Sequence, residues 1–158
     1  MPKIENKWDS LYDPGKQTWF TKLEEKAINW YFSRMFGKTI LSASGIKSGK
    51  IFEPGCGSGM TCVQFAQAGF DITLMDLSPN ALKKALTTFE NFGQSCKFTI
   101  GDLFNLPFPD EEFDVVFNQG VMEHFKIAGI NPDIGIQEML RVVKKDGTLV
   151  ILVPAFFS

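Results

Sequence analysis

The chain has 158 residues, 44% hydrophobic and 22% charged, with 16 basic against 18 acidic side chains and a formal charge of -2. That length suits a single domain able to bury about 70% of the surface its unfolded form exposes, and the composition excludes a disordered chain. There is no basic stripe for nucleic acid, no apolar run near the ~20 residues of a membrane span and no signal peptide in Met1 to Lys7, so a cytoplasmic protein without nucleic-acid or membrane partners is expected.

In chain order, the first 20 or so residues carry Trp8, Tyr12, Trp19 and Phe20 around Asp13-Pro14-Gly15, which reads as an aromatic arm. From Thr21 the capping-box spacing Thr21-x-x-Glu24 and apolar residues at helical intervals through Phe36 predict a helix of about four turns closed by Gly37. Ser42 to Gly49 is a small-residue connector, which divides one domain into an arm and helix over 1–47 and a core over 48–158. In the core, strands are predicted near Lys50 to Glu53, Phe70 to Met75, Lys97 to Ile100, Asp114 to Asn118 and Thr148 to Val153. Helices are predicted near Met60 to Ala68, Pro79 to Phe92 and Ile134 to Val143, with an irregular crossover from Gly101 to Phe113. That alternation is the pattern of an α/β fold with a parallel sheet. Ser78 stands as N-cap ahead of Pro79 in the first turn, and Lys144-Lys145-Asp146-Gly147 forms a turn before the last strand.

Three cysteines, Cys56, Cys62 and Cys96, show no C-x-x-C pairing, and His124 is the one histidine. Reduced, mostly buried thiols and no metal site are therefore expected.

Chemistry concentrates in Ile51-Phe52-Glu53-Pro54-Gly55-Cys56-Gly57-Ser58-Gly59, where a strand end passes through three alternate glycines into a helix. Glycine tolerates positive φ and lets a ligand lie against the main chain at a helix N-terminus. A dinucleotide fingerprint starting at Gly55 fails, because it needs glycine or alanine where Met60 stands. The segment instead resembles the first motif of class I S-adenosylmethionine-dependent methyltransferases, in which an acidic residue, here Glu53, precedes the glycines by two.

The resemblance runs over about residues 48 to 155. It implies a Rossmann-like, doubly wound parallel sheet of order 3-2-1-4-5 and S-adenosyl-L-methionine as cofactor. Glu53, Gly55, Cys56, Gly57, Ser58 and Gly59 would then surround the methionine part of the cofactor. Asp76 would accept both ribose hydroxyls, with helix-cap aspartate as its plainer role, and Leu77 would line the adenine. Asp102 would accept the adenine amine and Leu103 would donate its backbone N–H, the alternative for Asp102 being a solvated loop residue. Asn118 and Gln119 would face the methyl-bearing end, and Tyr12, with Trp8, would close over the cofactor as a lid or simply cover an apolar surface. His124, just past the fourth strand, is a weak candidate for a general base against an ordinary packing role. Glu138 to Leu149 matches the family's last helix, turn and fifth strand, with Lys145-Asp146 where Pro-Gly is usual.

The family's C-terminal strand pair beside the fifth strand is missing, which would leave Thr148 to Val153 as an apolar edge. A homodimer, a complementing chain, or a sequence that is a piece of a longer one would account for that. The leading expectation is a methyltransferase acting on a small-molecule acceptor. The alternative is a non-catalytic S-adenosylmethionine-binding module or an incomplete half-enzyme.

Overall fold

The computed structural model describes residues 19–127 and 129–153, and the side chains of 30–125 and 129–153 among them. Tyr12, Trp8 and the rest of the arm before Trp19 lie outside the described residues. Short runs of Ile, Val, Leu and Phe form five strands: β1 (Lys50–Pro54), β2 (Asp71–Asp76), β3 (Lys97–Ile100), β4 (Phe113–Gln119) and β5 (Val143–Leu152). All pair in parallel in the order β3-β2-β1-β4-β5. The fold is the α/β, Rossmann-like arrangement expected from the sequence.

Side chains alternate between two buried faces, as a strand's period of two requires. Ile51, Leu74 and Phe117 enter one core, while Phe52, Met75 and Val116 enter the other. The first core is closed by α1 (Trp19–Ser44), α2 (Met60–Gln67) and α3 (Pro79–Asn91), and the second by α5 (Asp133–Val142) and the 101–112 crossover. Phe52 stacks on Phe113 with ring centroids 4.7 Å apart, and Phe108 packs edge-on against both. Ser78 caps α3, its Oγ accepting the Ala81 amide at 3.1 Å with Pro79 behind it.

Three local features differ from the sequence expectation. Gly37 does not end α1, which continues to Ser44 and stops at Gly45, where φ is +65° and the amide returns to the Leu41 carbonyl at 2.9 Å. Gly37 instead marks where α1 crosses α2, and a methyl group there would overlap the side-chain amide of Gln64. A six-residue helix, α4 (Met122–Ile127), occupies the segment that the sequence presents as a loop after β4. Finally, β5 begins at Val143, which pairs with Phe113, and resumes regular pairing only at Thr148 opposite Val115. Lys144 to Gly147 is thus a bulge within the strand, held by Lys144 Nζ on Asp114 Oδ1 at 2.7 Å.

The irregular crossover is ordered by one side chain of α5. Arg141 Nη1 donates to the Phe108 carbonyl at 2.8 Å and Asp110 Oδ1 at 2.9 Å, and Nη2 to the Leu106 carbonyl at 3.0 Å. Its Nε and Nη2 grip both oxygens of Glu138, whose Oε2 also accepts the Leu106 amide. The Arg141 hydrogen bond holds the Glu138 carboxyl below its ordinary range. Among the described residues no helix is long and apolar enough to cross a membrane, and no group of three or more potential ligands could hold a metal ion. Replacing Arg141 by alanine strands two carbonyls and a carboxylate, so urea unfolding should show a loss of about 2 to 4 kcal/mol. An unchanged midpoint would contradict this account of the crossover.

Candidate functional site

At the C-terminal ends of the strands, where the strand order reverses between β1 and β4, an open cleft of about 250 Å³ lies against the glycine turn. The turn is shaped by three left-handed glycines, Gly55, Gly57 and Gly59, with φ of +73°, +53° and +65°. A side chain at Gly55 would strike Val121 Cγ2 at 2.6 Å. Gly59 faces away from the cleft and lets α2 approach the sheet, with Leu74, Ala85 and Phe89 within 3.3 Å of where its Cβ would stand.

The turn is clipped to the end of β2. Gly55 and Cys56 amides both donate to the Met75 carbonyl, at 2.7 and 3.0 Å, and the Gly57 amide donates to Asp76 Oδ2 at 2.9 Å. Gly59 N–H goes to the Cys56 carbonyl. These four amides, which the sequence suggests as ligand donors, are therefore engaged inside the protein.

Asp76 also accepts the Ser78 amide on Oδ1 at 2.9 Å, so the helix-cap and turn-ordering roles are both real features of its geometry. Burial raises its carboxyl above the ordinary range, against the lowering effect of the amides of Ser78, Gly57 and Leu77. Asp102 accepts the Phe104 amide on Oδ1 at 3.0 Å and closes a small turn with Asn105. Leu77 and Leu103 line the same side of the cleft.

Glu53 sits at the floor, 4% exposed, with Oε2 lacking any hydrogen-bond partner among the described residues. Burial pushes its pKa up to about 8; the Cys62 side chain hydrogen-bonds it and lowers it, while Asp76 raises it. Burial likewise raises the thiols of Cys56 and Cys62, so neither is poised as a nucleophile. Asn118 is fully buried behind the cleft, donating Nδ2 to the Pro54 carbonyl at 2.7 Å and leaving Oδ1 unpartnered.

The structure thus brings Glu53, Gly55, Cys56, Gly57, Ser58, Asp76, Leu77, Asp102, Leu103 and Gln119 to one cleft. Gly59 and Asn118 support it from behind. His124 is not among the cleft-lining residues; its side chain is 38% exposed on α4, with Nε2 3.9 Å from Glu123 Oε1. Sequence reasoning did not point to Ser33, Thr61, Phe104 or Phe125, which also line the cleft. Phe104 and Phe125 meet edge-on at 4.7 Å. Thr61 lies in the first turn after the glycines, and Phe104 and Phe125 directly follow Leu103 and His124, so all three could have been found by offset; Ser33 alone arrives from a segment distant in sequence.

Residues 52–151 match a family model described as a methyltransferase domain. Norajmaline N-methyltransferase of Rauvolfia serpentina is 29% identical over 147 residues, covering 91% of this chain and 49% of the relative. The chain spans about half the length of the first curated relatives it matches. A Methanococcus maripaludis protein provisionally assigned as an S-adenosyl-L-methionine-dependent methyltransferase superposes with a TM-score of 0.73 at 21% identity, over 80% of this chain and 57% of that one. The [4+2]-cyclase SpnF superposes with a TM-score of 0.66 at 26% identity, over 75% of this chain and 44% of the other. With the glycine turn, the acidic residues on successive strand ends and the 3-2-1-4-5 sheet in hand, the chain belongs to the methyltransferase domain family, of the class I S-adenosylmethionine-dependent type.

Proposed function

We propose that the chain binds S-adenosylmethionine in this cleft and transfers its methyl group to a small-molecule acceptor. The observation that carries the reading is the charge of the lining. Three carboxyl groups, Glu53, Asp76 and Asp102, face the cleft, and among the described residues no Lys, Arg or His does. Such a lining suits a ligand with a sulfonium and an ammonium, and it opposes anionic acceptors such as nucleic acid.

S-adenosylmethionine would supply a methyl group on a sulfonium, a leaving group activated enough that no protein nucleophile is required. In this reading Asp76 uses its remaining lone pairs on the ribose, Asp102 and the Leu103 amide read the adenine, and Leu77 packs on its face. The unpartnered Glu53 Oε2 meets the amino end, and Gln119 faces the methyl-bearing end. The protein's contribution is alignment and exclusion of water. A second reading, cofactor binding without methyl transfer, is favoured by the likeness to a cyclase, since one fold serves several chemistries. Formation of S-adenosylhomocysteine with candidate acceptors separates the two.

The edge strand β5 carries a further part of the proposal: a second copy, a complementing chain or further residues of a longer chain cover it. Light scattering after size exclusion should then give a mass above that of the 17.7 kDa chain, whereas a monomer persisting at high concentration would count against a homodimer.

Asp76→Ala removes charge-assisted hydrogen bonds worth roughly 1.5 to 3 kcal/mol, so calorimetric titration should show cofactor affinity reduced about 10- to 150-fold. Gly57→Val, which forces a β-branched residue to the +53° backbone, should abolish binding. Parent-like affinity in either variant would refute the corresponding placement.

Glu53 makes stability depend on pH. In the unfolded chain it ionises near its ordinary value of 4.5, but folded it keeps its proton to about 8. Its contribution is therefore full below pH 4.5 and is lost as pH rises through 8, because the native state holds a proton that the unfolded state has released. Urea unfolding across that window should show a decline that Glu53→Gln flattens; equal declines in both proteins would contradict the buried neutral carboxyl.

A further inference from the structure

Ser33 is the only described residue of α1 that lines the cleft, and it is 8% exposed. It shares the helix's inner face with Gly37 and Ile40, while Trp30, Tyr31, Arg34 and Met35 face outward. What holds α1 at this rotation is Gln64 of α2. Its Nε2 donates to the Ser33 carbonyl at 2.6 Å and to the Thr61 carbonyl at 3.2 Å, and its amide fills the space that any side chain at Gly37 would need. One turn before Gln64, Thr61 Oγ1 donates to Gln119 Oε1 at 3.3 Å, which leaves Gln119 Nε2 as the free end of that amide. Neither Ser33 Oγ nor Gln119 Nε2 has a hydrogen-bond partner among the described residues.

Sheet order separates this group from the adenosine side. Asp76, Leu77, Asp102 and Leu103 follow β2 and β3, on one side of β1, whereas Gln119 ends β4 on the other. Ser33, Thr61 and Gln119 are all uncharged, and they converge from three elements on the side opposite the ribose and adenine carboxylates.

Resting on the cofactor reading above, we propose that Ser33 Oγ and Gln119 Nε2, braced by Thr61, form the methyl-acceptor subsite, Ser33 Oγ accepting a hydrogen bond from an uncharged hydroxyl nucleophile and Gln119 Nε2 donating one to its oxygen, whose second lone pair stays free for the sulfonium carbon. Gln64 is the positioning residue that sets Ser33 into it. A nucleophile must approach the sulfonium carbon with a lone pair free, and neutral hydroxyl and amide groups orient such an atom without neutralising it. The carboxyl-lined remainder of the cleft disfavours an acceptor that carries negative charge.

The test compares two cofactor analogues by calorimetry. S-adenosylhomocysteine lacks the transferable methyl, whereas sinefungin carries an amine-bearing carbon in place of the methylsulfonium and offers N–H groups to the acceptor side. Ser33→Ala should bind S-adenosylhomocysteine within about 2-fold of the parent while losing about 3- to 10-fold toward sinefungin, the range of a single hydrogen bond. Gln64→Ala should show the same selective loss, with helix content unchanged by circular dichroism. Equal losses for both analogues would assign these residues to the scaffold or the cofactor's common part, and unchanged affinity for both would remove them from the site; either result overturns the proposal. A folded parent that binds neither analogue defeats the cofactor reading itself, and the subsite with it.

Discussion

Three consecutive amides, those of Gly55, Cys56 and Gly57, reach across from the end of β1 to Met75 and Asp76 at the end of β2. The rest of the site depends on that clip. It requires left-handed backbone at Gly55 and Gly57, which an L side chain resists, and it requires a short carboxylate at position 76 to receive the last amide. By spending its donors inside the protein the turn keeps a fixed shape with no ligand present, so its geometry does not have to be assembled on binding.

The same clip determines the sign of the cleft. A glycine turn at a helix start is usually an anion cradle, because free N–H groups and the helix dipole point at the ligand. Here the N–H groups of Gly55, Cys56, Gly57 and Gly59 are engaged, and a buried Glu53 with an oxygen unpartnered among the described residues lies beneath. Glu53 stays neutral at neutral pH in the empty protein because burial outweighs the help it receives from Cys62. A cation arriving beside it would favour its ionised form, which couples ligand charge to proton release. In the proposed reaction methyl transfer would remove the sulfonium charge, so the lining would also distinguish the charged donor from its neutral product.

Much of this was legible in the sequence because it is local. Glu53 through Gly59 lie in one strand-turn-helix, Asp76 and Asp102 close the next two strands, and the alternation of apolar runs indicates parallel topology without reference to contacts. Ser78 and Pro79 announce the start of α3 by chemistry confined to two residues. The features that sequence reading missed depend on distant partners. Gly37 reads as a helix terminator until Gln64, 27 positions later, is seen filling the space beside it. Ser33 has no motif around it and becomes a cleft residue only because that crossing fixes the rotation of α1. The bulge at Lys144 to Gly147 is set by Asp114 on the neighbouring strand, and the crossover from Gly101 to Phe113 lacks periodicity because a guanidinium from α5, not a repeating backbone pattern, holds it. That the Gly55, Cys56 and Gly57 amides are engaged is likewise decided by β2, not by the turn's own sequence.

The central claim is that a cleft built on the clip between the glycine turn and β2 holds an adenosyl ligand across the switch between β1 and β4. A crystal structure of the chain grown with S-adenosylhomocysteine tests it most directly. The account predicts the ribose hydroxyls on the Asp76 carboxylate, the adenine between Leu77 and the Asp102-Leu103 step, and the amino end beside Glu53. Ligand bound elsewhere, or an adenosyl group lying in the cleft with no contact to Asp76, would contradict it.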